Sequence, residues 1–118
     1  MPQDPRIPVT FLADAAALEG WLATGGPAAL LTDGAFPPAG PVAAQRFAPG
    51  PAHRIGCACC AGRTAAAIAL DRLFQARVRD PGAWFDRVGA LLATAGARLQ
   101  LRAALEADPL TRARFRPA

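Results

Sequence analysis

Three thiols stand within four residues of this chain, Cys57, Cys59 and Cys60, in the stretch IGCACCAGRT. No other cysteine exists to pair with them. Thiolates are soft ligands that suit zinc or Cu(I), and such near neighbours close only strained disulfides. The cluster therefore reads as a metal-ligand set before it reads as a disulfide framework, and the odd count would leave one thiol over in any case. Arg54 and Arg63 flank the motif, which precedes an expected helix start at Thr64; both positive fields favour the thiolate form. A closed zinc site takes four ligands. His53, the sole histidine, is the nearest candidate for the fourth, with water or a thiol from a second subunit as alternatives. Two other uses of the same sulfurs compete: thiol redox chemistry, since Cys57 and Cys60 keep C-x-x-C spacing, and plain packing as small apolar residues.

What the chain lacks narrows the chemistry further. It contains no Lys, Asn, Ser or Tyr, and all thirteen basic residues are Arg. GC-rich coding accounts for the flavour, with Ala, Gly, Pro and Arg all abundant. The consequence holds regardless: there is no Ser nucleophile, no Lys for a Schiff base or phosphate loop, and no Tyr acid.

The elements that must position the thiols follow from pattern. At 118 residues, with 53% hydrophobic and 19% charged residues, the chain reads as one ordered domain with a sizeable core. No apolar run reaches the roughly 18 residues of a membrane span. MPQDPRIPVT lacks the basic start and apolar stretch of a signal peptide, so a cytoplasmic protein with reduced thiols is expected. Val9, Thr10, Phe11 and Leu12 make a buried strand; Asp14 caps a helix over AAALEGWLAT, ended by Gly25, Gly26 and Pro27. AALLTD reads as a second strand, GAFPPAGP as a loop and VAAQRFA as a third strand. A helix follows from Thr64 to Val78, with Ala66, Leu70, Leu73, Phe74 and Arg77 along one side. In DPGAWFDRVGALLATAG, Trp84, Val88, Leu91 and Leu92 fit a helix by period, and periodicity leans that way, although RVGALLAT also suits a buried strand. ARLQLRAALEAD is a helix stopped by Asp108 and Pro109, with one further turn in PLTRARF. Strands alternating with helices imply a three-layer α/β fold around a mainly parallel sheet of about four strands.

In this order the segments resemble the N-terminal GTPase domain of the CobW family, P-loop proteins associated with metal trafficking. PVTFL resembles its first strand, GCACC its G-C-x-C-C metal motif, FDRV with ATAG the strand leading to its switch, and LEADPLTRARF the segment after it. The resemblance implies a P-loop NTPase-like fold and a metal role for the cysteines. It does not extend to nucleotide handling. In the family the first strand runs into a glycine-rich phosphate loop with a Lys, whereas here Leu12 is followed by ADAAALEGW. Ala93 stands where the switch opens with Glu, and no Asn-Lys-x-Asp segment exists. Phosphoryl transfer rests on positioning and charge stabilisation, so a pseudo-GTPase without nucleotide or enzymatic activity is expected. The family's Asn-Glu pair after the second strand, a source of a metal-side carboxylate, is Asp33-Gly34 here. Asp71 and Asp86 are expected to be solvated or paired with the adjoining Arg72 and Arg87.

The expected function is therefore non-catalytic: holding zinc or another thiophilic metal at Cys57, Cys59 and Cys60, with His53 as candidate fourth ligand, for trafficking or regulation. The alternative is a metal-free interaction module that dimerises or binds a larger protein partner through an exposed sheet edge. The net charge of +4 is densest in TRARFRPA. The other arginines are scattered, with no Tyr or Phe among them in a repeating stacking pattern, so Arg112, Arg114 and Arg116 read as a solvated basic end, with nucleic acid ranked last among partners.

Overall fold

Five short stretches of extended chain meet in one sheet, with the three inner ones the most apolar and most buried. The computed structural model describes residues 4–37, 39–49 and 63–118. Along them run β1 (Ile7–Leu12), α1 (Ala15–Ala23), β2 (Ala28–Thr32), β3 (Ala43–Arg46), α2 (Ala65–Arg79), a 3-10 turn (Pro81–Ala83), β4 (Arg87–Leu91), α3 (Ala95–Ala107), α4 (Pro109–Arg114) and β5 (Phe115–Pro117). All pairings are parallel, in the order β3-β2-β4-β1-β5. The α/β class and the parallel sheet are as the pattern implies; the strand count is five.

Two differences from the sequence reading have physical causes. The stretch that pattern leaves open between helix and strand, with the period leaning to helix, is β4, the central strand, with Val88, Gly89 and Ala90 all buried. A strand covered on both faces carries a continuous apolar run and loses the alternation that announces edge strands. β5 exists only through its pairing with β1, Ile7 opposite Phe115 and Val9 opposite Pro117. Nothing in its three residues marks a strand in isolation.

Chain direction decides which face each helix covers. β1 crosses to β2 one way through α1, whereas β3 to β4 through α2 and β4 to β5 through α3 run the other way. Right-handed crossovers in opposite directions put helices on opposite faces, giving three layers. The main core lies under α2 and α3, where Ile7, Val9, Leu31, Val88 and Ala90 meet Leu70, Leu73, Leu101, Leu105, Phe85 and Phe115. Leu18 of α1 and the alternate-face residues Ala28 and Leu30 are buried outside that cluster. On this thinner side a methyl on Gly89 would come within 2.7 Å of the Trp21 ring and 2.9 Å of Leu12, so only glycine lets the indole lie against the sheet. Among the described residues no helix is long and apolar enough to cross a membrane.

Candidate functional site

The sheet order reverses between β1 and β4, and the crevice outside the carboxyl ends of strands at such a point is where open α/β sheets take ligands. Here carboxylates of the protein itself stand at the helix starts. Two residues, Ala13 and Asp14, join β1 to α1. The Asp14 carboxylate accepts a 2.8 Å hydrogen bond from the Ala17 amide, so an internal anion occupies the helix terminus where a phosphate would lie.

A second carboxylate closes the neighbouring terminus. Asp33, just beyond β2, accepts from the amides of Ala93 (2.8 Å) and Thr94 (3.0 Å) and from the Thr94 hydroxyl (2.9 Å). Thr94 in turn caps α3 by accepting from the Ala97 amide at 3.2 Å. Burial pushes the Asp33 carboxyl up, but the donors on Ala93 and Thr94 prevail and hold it below its ordinary value. From the other side Arg98 donates to the carbonyls of Leu92 (2.8 Å) and Ala93 (3.3 Å). The turn that the CobW resemblance assigns to the switch is thus clamped on both its amides and its carbonyls. Both Asp33 oxygens are engaged, and this donor set fits a structural clamp better than an extra metal ligand.

Beside the clamp lies a cavity of about 470 Å³ lined by Asp33, Arg46, Phe47, Ala48, Pro49 and Thr94. From its Pro49 wall the chain enters the cysteine-bearing stretch, to return at Arg63. His53, Cys57, Cys59 and Cys60 lie outside the described residues. Both flanks of the stretch, however, are fixed to one side chain. Gln100 of α3 donates to the Pro49 carbonyl at 2.6 Å and accepts from the Ala66 amide at 2.9 Å. The return is secured again by Arg63, which donates to Asp108 (2.9 and 3.0 Å) and to both oxygens of Asp71. The Arg63 guanidinium holds the Asp108 carboxyl down at about 2, against burial and helped by the Thr111 amide and hydroxyl. Thr64 then caps α2 through the Ala67 amide at 3.3 Å.

Sequence reading missed these anchors. A lone glutamine inside a helix carries no signal of its distant partners, and Asp71 was matched with the adjoining Arg72. Neighbours i and i+1 do not face each other on a helix; Asp71 instead takes Arg63 and Arg114. Arg87 likewise turns from Asp86 to the carbonyls of Gly26 and Trp21. Among the described residues no group of three or more His, Cys, Asp or Glu is arranged to hold a metal ion.

The class defined by these features is a small three-layer α/β domain with a parallel sheet and carboxylates at the starts of two helices. Comparison with protein-family models, with curated proteins and with solved structures finds no match for this chain. The CobW likeness accordingly rests on the four stretches quoted above.

Proposed function

We propose that this chain is a nucleotide-blind relative of the CobW GTPase domain. Its work is to hold zinc or another thiophilic metal at Cys57, Cys59 and Cys60, for trafficking or regulation in the cytoplasm. The observation that carries the reading is the density of thiols, three in four residues, in a stretch whose two flanks are tied to Gln100. Fixing the ends of a segment lowers the entropy lost when its ligands gather on one ion. His53 is the nearest nitrogen donor for a fourth position. The two-residue β1–α1 connection, the Asp14 and Asp33 carboxylates at the two helix termini and the absence of Lys support a domain that neither binds nor hydrolyses GTP.

Titration of the reduced protein with Co(II), with free thiols counted at each step, tests the metal reading. The expected result is a thiolate-to-metal absorption band and protection of all three thiols at one equivalent. Cys57→Ala, Cys59→Ala and Cys60→Ala should each weaken the band. Three freely reactive thiols at saturating Co(II), with no band, would overturn the reading.

A further inference from the structure

We propose that the face formed by the last turns of α2, the Pro81–Ala83 turn and α4 binds single-stranded nucleic acid, with Trp84 stacking a base and Arg79 and Arg112 contacting phosphates. Folding brings several arginines and aromatics of this region into contact. The Arg77 guanidinium lies 3.5 Å from the Trp84 ring centroid and 5.9 Å from that of Phe74. Arg114 covers Phe74 at 4.3 Å, and Phe74 meets Phe115 edge-on at 6.2 Å. Arg6 donates to the Arg112 carbonyl at 3.3 Å, which brings a further cation beside α4.

Trp84 is 50% exposed, and Val78 in the last turn of α2 is 64% exposed. Arg77 is fixed beneath the indole by donating to the Phe85 carbonyl at 2.6 Å. One face of the ring is therefore backed by a cation while half of the residue meets solvent, which suits a stacking platform. The carboxylates of this region are largely committed. Asp71 holds Arg63 and Arg114, Asp4 holds Arg6 and lies near Arg116, and Asp80 caps the 3-10 turn, while Asp86 is exposed beside Gly26. Among the described residues Arg77, Arg79 and Arg112 take part in no salt bridge, and the latter two are exposed. An acidic peptide would match the charge and leave the indole unused. A single strand uses both, since every base has a face to stack and guanidinium matches phosphate geometry.

The test is binding of fluorescein-labelled oligo-dT and oligo-U twelve-mers at low salt, followed by anisotropy and by tryptophan emission. The proposal expects binding with quenched emission, and an affinity that falls linearly with salt on logarithmic axes. Trp84→Ala should weaken binding about tenfold, the low end of the range for loss of one stacked base, and Trp84→Phe should retain most of it. Arg79→Ala and Arg112→Ala should each lower the salt slope by about 0.7, a test independent of whether Trp84→Ala folds. Arg46→Ala, at the opposite end of the sheet, and Cys57→Ala should leave binding unchanged, which separates this face from the metal reading. Absence of binding at low salt, an unchanged affinity in Trp84→Ala, or equal competition by polyglutamate per unit charge would overturn the proposal.

Discussion

Asp108 shows how much a single carboxylate can carry. It accepts Arg63 at the return of the cysteine-bearing stretch and caps α4 through the Thr111 amide and hydroxyl, each at 2.9 Å. Its folded pKa of about 2 lies below the ordinary 3.8. The unfolded chain therefore binds a proton first as pH falls, and the stabilisation is complete above about pH 4 and lost between there and pH 2. After allowance for solvent screening it is worth on the order of 1–2 kcal/mol. In urea unfolding, Asp108→Asn should be less stable than the parent at pH 6, and the gap should close by pH 2. A gap that stays constant over that range would show that charge plays no part. The same residue was legible only as a helix stop, because its partner Arg63 lies 45 positions away.

Elements differ in how far their residues betray them. α1, α2 and α3 each begin at a side-chain cap, Asp14, Thr64 and Thr94; the sequence reading placed the first two from cap and apolar period, and put the start of α3 just past Gly96. β1 and β2 show short β-rich or apolar runs between turn formers. β4 hides because burial on both faces erases its period, and its one constraint on neighbours sits at Gly89. Gly89→Ala should cost about 1–3 kcal/mol, the range for overpacking a filled site. Trp21→Leu in the same chain should recover part of that loss, while Trp21→Leu alone destabilises. Thermal unfolding of the four proteins checks the coupling; strict additivity would contradict the packing of Trp21 on the glycine.

At the scale of the molecule the fold reads as an economical parallel sheet whose last strand is the least visible. Phe115 is fully buried and stands between Ile7 and the ring of Phe74. Its truncation to Ala should cost about 3–5 kcal/mol, a large part of the 5–15 kcal/mol typical of a domain. Arg116→Ala beside it should cost far less, and calorimetry of the pair would contradict the account if the two were equal. The α/β class was legible because alternating elements admit few topologies. The clamp that Asp33 makes on Ala93 and Thr94 was not, since it depends on where β2 and β4 end in space.

Metal binding by the cysteine trio, on a scaffold without nucleotide, is the proposal that one measurement can test. Native mass spectrometry of the reduced chain, incubated with one equivalent of Zn(II) and an excess of Mg-GTP, reads both halves at once. The account predicts a single zinc adduct, lost when Cys57, Cys59 and Cys60 are replaced together by Ala, and no GTP adduct. A GTP-bound species, or a zinc adduct that survives loss of all three thiols, would contradict it.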